Sequence, residues 1–134
     1  TFGATKLVSK NAIEEIMKLT DRKGVDVAIE AVGIAATFNI CQSIIAAGGH
    51  IANVGVHGKS VELHLEKLWS RNITITTRLV DTVTIPMLLK TVLSGKLKPE
   101  KLITHRFPLN EIMNAYDIFG NAAKEKAIKV ILSK

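Results

Sequence analysis

The chain has 134 residues, 47% of them apolar, which is enough for one ordinary domain with a core of its own. No apolar run approaches the roughly 20 residues of a membrane helix and no basic-then-apolar leader is present, so we expect a cytoplasmic protein with no membrane partner. The net charge of +6 arises entirely in residues 68–134, but most lysines there stand singly and aromatic residues are few, which favours a solvated basic face over a nucleic-acid site.

The first elements alternate between strand and helix. An extended run at residues 6–9 precedes a helix at residues 12–19, with Asn11 as its cap and Glu14 at the position of a capping-box carboxylate. Gly24 permits a left-handed stop after this helix. The chain is therefore expected to open as strand, helix, strand.

Two apolar strand signals follow, at residues 24–33 and 48–56. Residues 35–46 between them have helical spacing, so the three segments form one βαβ crossover. Ligands in open α/β sheets bind at the carboxyl ends of the strands. Function is therefore expected around residues 30–33 and 54–56.

The rest of the chain continues the α/β pattern with shorter elements. Asp81 or Thr82 would cap a helix in which Pro86 falls in the tolerant first turn, and Gly95 would end it. The loop at residues 95–101 is a candidate boundary. The predicted elements are strands at 61–65, 73–77, 102–107 and 127–132, helical turns at 66–70, and helices at 83–94 and 112–119.

Five segments in one order carry a resemblance to a known family. They are FGAT at residues 2–5, GVDVAIEAVG at 24–33, AAGGHIANVGV at 46–56, SGKLKPEKLITHRFPLNEIMNAYDIF at 94–119 and KVIL at 129–132. Over essentially its whole length the chain resembles the zinc-dependent alcohol dehydrogenases of the medium-chain dehydrogenase/reductase superfamily.

The resemblance implies an α/β fold in two parts. Residues 1–79 would be the second half of a Rossmann-type parallel sheet with helices, the C-terminal half of a dinucleotide-binding domain. Residues 80–134 would be a C-terminal segment that belongs to the GroES-like catalytic domain in the full-length family. The chain has no G-x-G-x-x-G, no cysteine-bearing zinc set and no G-H-E signature. We therefore expect the C-terminal part of an enzyme that is inactive when isolated.

The resemblance also implies that this part of the chain forms one wall of a nicotinamide and ribose site. At residues 31–32, apolar side chains would pack on the cofactor, or else only fill the core. At residues 54–56 the backbone would meet the nicotinamide carboxamide, and a Cβ at Gly55 would intrude on that ligand. Gly55→Val is therefore expected to weaken cofactor binding without affecting folding. Eight residues match cofactor positions of the family: Ala31, Val32, Val54, Gly55, Val56, Leu79, Val80 and Lys129, the last near the pyrophosphate.

No residue of the chain is assigned to catalysis or to metal binding. The four histidines share no ligand spacing, and Cys41, the single cysteine, lies on the apolar face of a predicted helix as a buried, unreactive thiol. Glu30 ends a buried strand and could act as a general base, but a structural role is favoured. The cofactor would be NAD or NADP, with zinc only in the full-length parent, and the substrate an alcohol paired with an aldehyde or ketone.

Two other functions remain open at this point. A zinc-free reductase of the same superfamily, similar to quinone reductases, would explain the glycine-ended strands, and a non-catalytic nucleotide-binding or basic module would explain only part of the pattern. A homo-oligomer, a dimer or tetramer, is expected through the sheet edge at residues 61–65 and 73–77.

Overall fold

The computed structural model describes residues 3–79 and 83–134. The chain forms two compact units, Thr1–Leu79 and Val80–Lys134. This break coincides with the division implied by the resemblance, not with the loop at residues 95–101. That the second unit belongs to a catalytic domain stays a prediction.

The first unit is a three-stranded sheet with helices on its connections. Its elements are α1 Ala12–Leu19, β1 Val25–Glu30, α2 Ala35–Ile44, β2 Ile45–Asn53, α3 Leu65–Leu68, a 3₁₀ turn at Trp69–Arg71 and β3 Thr74–Thr77. The predicted βαβ crossover is thus confirmed.

The three strands are parallel and lie in the order β1-β2-β3. Their last residues are in register, because Glu30 pairs with Asn53 and Asn53 pairs with Thr77. All three carboxyl ends therefore meet at one edge of the sheet. The chain segments that leave the strands start side by side there.

The core of this unit lies between the sheet and α2. Ile45 and Ile51 are fully buried, and the thiol of Cys41 is buried and free, as predicted. Burial raises the pKa of the Cys41 thiol, which keeps it protonated and unreactive. The core residues are Ala28, Phe38, Cys41, Ile44, Ile45, Ile51 and Leu68. On β1 only alternate residues face this core, so Val27 and Ile29 are left exposed on the opposite face.

Several predicted details of the first unit are wrong. Residues 6–9 form no strand, and Asn11 has a left-handed backbone with φ of 51° and makes no side-chain cap hydrogen bond. Residues 61–65 are not a strand either. The side chain of Gln42 donates to the carbonyl of Glu62 at 3.0 Å and accepts from the amide of His64 at 2.8 Å. These bonds satisfy backbone groups that a neighbouring strand would otherwise pair.

The second unit has two parallel strands and the remaining helices. Its elements are α4 Ile85–Leu93, a 3₁₀ turn at Pro99–Leu102, β4 Ile103–Pro108, a 3₁₀ turn at Leu109–Glu111, α5 Ile112–Gly120, α6 Ala122–Glu125 and β5 Lys129–Ser133, with β4 paired to β5. Pro86 lies in the first turn of α4, as predicted. The predicted caps Asp81 and Thr82 lie outside the described residues. None of the helices described is long and apolar enough to cross a membrane.

Candidate functional site

Two short loops follow the first two strands and touch each other. We call residues 31–33, after β1, the first loop and residues 54–56, after β2, the second loop. The main-chain carbonyl of Glu30 accepts hydrogen bonds from the amides of Val54 at 2.8 Å and Gly55 at 3.0 Å. The last residue of β1 thus holds the second loop directly.

The Glu30 side chain holds the first loop as well. It is only 1% exposed, and its Oε1 accepts from the amides of Val32 at 3.0 Å and Gly33 at 2.9 Å and from the Thr37 hydroxyl at 2.6 Å. Oε2 lies 3.1 Å from the Gly33 amide and 3.4 Å from Nε2 of His57. A carboxylate held by this many donors braces the loop.

The ionised form of Glu30 is favoured by these donors. Burial alone would raise the pKa of this carboxyl, but the hydrogen bonds from Thr37, Gly33 and Val32 and the imidazole of His57 together hold the pKa below its ordinary value. Glu30 is therefore a poor general base at neutral pH. The geometry supports the structural role favoured from the sequence.

Asn53, the last residue of β2, and His57, directly after the second loop, complete this cluster. Nε2 of His57 lies 2.8 Å from Oδ1 of Asn53, and Nδ2 of Asn53 donates to the carbonyl of Gly55 at 3.1 Å. The His57 ring packs edge-on against Phe38, with 5.9 Å between ring centroids. Sequence reasoning considered the histidines only as metal ligands and missed this role. No sequence motif marks this pair, because Glu30 ends β1 and His57 lies four residues after the end of β2.

The two loops approach so closely that both need a glycine. A Cβ on Gly33, whose φ is +85°, would meet the backbone of Val56, including its carbonyl carbon at 2.6 Å. A Cβ on Gly55 would collide with Oε2 of Glu30 and with the Gly33 backbone, whose Cα would be 2.9 Å away. The predicted reason for Gly55 is therefore wrong. The space that a side chain would need is occupied by the protein itself, so Gly55→Val would strain the fold and not only the ligand site.

A cleft opens where the second loop meets the end of β3. Its volume is about 280 Å³, and it brings together four of the predicted residues: Val54, Gly55, Val56 and Leu79, beside Asn53, Thr77 and Arg78. The side chains of Val56 and Leu79 are largely exposed. Within the described residues no protein group hydrogen-bonds to the amide of Val56. The cleft therefore offers apolar side chains beside the backbone of the second loop.

The other predicted residues lie elsewhere. Ala31 and Val32 line a separate hollow of about 370 Å³ along β1, with Thr37 and Ile40. Lys129 belongs to the second unit, where it borders an apolar groove of about 360 Å³ with Tyr116 and Phe119. Val80 is outside the described residues. A larger hollow of about 520 Å³ runs along α1 but has no buried titratable group.

The described residues do not form a metal site. Among them, no group of three histidine, cysteine, aspartate or glutamate side chains could hold an ion. Glu30 and His57 are near each other, but no third ligand joins them. These side chains do not fit a zinc ion.

Comparison with known proteins places the chain in a family. The family model described as zinc-binding dehydrogenase matches residues 1–94. An alcohol dehydrogenase of Cupriavidus necator is 30% identical over 118 residues, which are 83% of this chain and 31% of the relative. The chain thus spans about a third of the length of this relative. The match supports the resemblance to zinc-dependent alcohol dehydrogenases.

Solved structures agree with this result. The apo zinc-dependent alcohol dehydrogenase 2 of Streptococcus pneumonia is 56% identical, with a TM-score of 0.89 over 99% of this chain and 39% of that one. The alcohol dehydrogenase TADH of Thermus sp. ATN1 is 29% identical, with a TM-score of 0.81 over 93% of this chain and 36% of that one. Both carry the parallel α/β arrangement found here, which confirms the predicted fold class. The chain belongs to the zinc-binding dehydrogenase family.

Proposed function

We propose that this chain forms the nicotinamide-facing part of the coenzyme site of an NAD(P)-dependent alcohol dehydrogenase, which transfers hydride between an alcohol and the corresponding aldehyde or ketone. The observation that carries the proposal is the cleft at the carboxyl ends of β2 and β3, where four predicted cofactor residues converge. Parallel α/β sheets bind nucleotides at this edge.

The chemistry of the cleft suits a nicotinamide ring. The ring needs an apolar surface and its carboxamide needs backbone partners, and the cleft has the exposed side chains of Val56 and Leu79 beside the backbone of the second loop. When bound, the coenzyme would accept or deliver the hydride. The residues of this chain would orient the ring and exclude water from one of its faces.

The remaining cofactor assignments belong to the same proposal. Ala31 and Val32 would pack on the cofactor, and the cofactor roles of Val80 and Lys129 that the resemblance implies stay predictions. A nicotinamide coenzyme is also supported by a similar structure, a zinc-binding dehydrogenase of Sinorhizobium meliloti that was solved with NADP, at 26% identity and a TM-score of 0.71 over 84% of this chain and 32% of that one. The choice between NAD and NADP is left open. A cytoplasmic location and a homo-oligomer are further parts of the proposal.

The experiment is a coenzyme titration of the full-length protein. NADH and NADPH binding is followed by fluorescence for the wild type, for Val56→Trp, which fills the cleft, and for Val83→Trp, an equally large change at an exposed residue of the second unit. We expect Val56→Trp to raise the Kd at least about tenfold, a loss of about 1.4 kcal/mol. Its melting temperature should match that of Val83→Trp.

Two results of this titration would contradict the proposal. Coenzyme affinity that is unchanged in Val56→Trp would remove the cleft from the coenzyme site. A wild-type protein that binds neither coenzyme would reject the proposed function itself.

A further inference from the structure

Glu30 and His57 belong to a hydrogen-bonded cluster of the first unit but do not line the cleft. Glu30 is buried, so it cannot touch a ligand in the cleft, yet it contacts both loops. Its carboxylate binds the amides of the first loop, and its main-chain carbonyl binds those of the second. A shift of this one residue would therefore move both loops.

The proton on His57 can be assigned from its neighbours. Nδ2 of Asn53 donates to the Gly55 carbonyl, so Oδ1 of Asn53 is free to accept. Nε2 of His57, 2.8 Å from that oxygen, must then carry the hydrogen. The same N–H faces Oε2 of Glu30 at 3.4 Å. A continuous series of side-chain contacts thus links Glu30 through His57 and Asn53 to the carbonyl of Gly55.

The second loop is consequently held from two sides. Its amides are bound by the Glu30 carbonyl, and its Gly55 carbonyl is bound by the Asn53 amide. Val56, which lines the cleft, follows directly in the chain. Small displacements matter at such a site, since a misplacement of about 1 Å can cost roughly a hundredfold in rate.

We propose that Glu30 and His57 are positioning residues that act as one linked pair to set the second loop for the nicotinamide ring without touching it. This inference rests on the proposed function of the cleft. The pair fixes where Val54, Gly55 and Val56 lie along the cleft, and hence how tightly coenzyme binds. Neither residue transfers a proton or contacts the substrate.

The test is a double-mutant cycle in the full-length protein with Glu30→Gln, His57→Phe and both together. His57→Phe keeps a ring against Phe38 but removes the Nε2 hydrogen. His64→Phe is the matched control, because His64 is in the same unit and pairs with Glu66 on the surface. Coenzyme Kd, KM and kcat are measured beside the melting temperature and the amide hydrogen exchange of the second loop.

We expect each single substitution to raise the coenzyme Kd about tenfold, with a smaller loss of kcat at saturating coenzyme. The coenzyme Kd of the double variant should also rise by no more than about tenfold, because the effects of residues in one network do not add. Exchange at the Val54 and Gly55 amides should be faster in His57→Phe and unchanged in His64→Phe. A purely structural role would lower the melting temperature but leave the Kd unchanged.

Two outcomes would overturn the inference. One is that the wild-type protein binds coenzyme and the variants bind it with the same Kd. The other is a double variant weakened about a hundredfold, which would mean that the two residues act independently. A wild-type protein that binds no coenzyme would reject the proposed function, and the positioning role with it.

Discussion

At the scale of single residues, the contact between the two loops decides what can be changed. Gly55 has no room for a Cβ because the Glu30 carboxylate and the Gly33 backbone fill that space. We predict that Gly55→Ala lowers the free energy of unfolding by about 1–3 kcal/mol, the usual cost of overpacking. Thermal melting measures this loss.

Gly58 is the matched control for this substitution. A Cβ at Gly58 would meet nothing within 4 Å. Gly58→Ala should therefore melt close to the wild type. Equal melting temperatures for Gly55→Ala and the wild type would contradict the observed packing of the loops.

Glu30 gives the molecule a defined response to acid. Its pKa in the folded protein lies below the ordinary value of 4.5, so the carboxylate stabilises the fold fully above that pH, and this contribution is lost as the pH falls through the folded pKa. We predict that Glu30→Gln melts well below the wild type at pH 7, and that the difference shrinks below about pH 4.5. Melting curves from pH 7 to pH 3 measure it.

The control for this pH dependence is Glu62→Gln, because the Glu62 side chain is 85% exposed. Its melting difference from the wild type should be small throughout. A Glu30→Gln difference that stayed constant across this pH range would contradict the proposed origin of the stability.

At the scale of the elements, β2 is the central strand and carries the core. Ile51 is fully buried between β1, β3 and α2, whereas Ile29 on the neighbouring strand is 66% exposed. We predict that Ile51→Ala costs about 2–4 kcal/mol of unfolding free energy, because a buried cavity replaces the lost methyl groups. Denaturant unfolding of the chain measures it.

Ile29→Ala makes the same chemical change on the exposed face of the sheet. It should cost well under 1 kcal/mol in the same experiment. Similar losses for the two variants would mean that the sheet buries its other face.

At the scale of the whole molecule, the free edge of the sheet is the proposed assembly surface. Among the described strands β3 pairs only with β2, so its other edge has backbone groups available to a second copy. We predict a dimer or larger oligomer in solution. Thr74→Lys should dissociate it, because the substitution places like charges on both copies where the two β3 edges meet. Sedimentation velocity at micromolar concentration measures the mass.

Ser94→Lys, at the exposed residue that follows α4 in the second unit, is the control and should leave the oligomer intact. A wild-type protein that sediments as a monomer would rule out this assembly. Residues 61–65, which were predicted to extend the edge, are not a strand and cannot contribute one.

The amino-acid pattern alone determined the βαβ unit and the family, but placed the ends of both strands three residues too late, since β1 ends at Glu30 and β2 at Asn53. Apolar runs, such as those ending at Glu30 and Asn53, indicate strands locally, although on β1 the apolar Val27 and Ile29 are exposed and Glu30 is buried. The same local information misassigned residues 61–65. Their alternation is typical of a strand, but the side chain of Gln42, some 20 residues away, satisfies their backbone.

Only the tertiary structure decided the roles of Glu30, Gly55 and His57. Each depends on distances between segments that are far apart in the chain, and no periodicity encodes such distances. Gly55 was expected to make room for a ligand, and the structure shows that it makes room for Glu30 and Gly33. His57 has no motif around it and gains its role because parallel strands bring their carboxyl ends, and the residues that follow them, to one edge of the sheet.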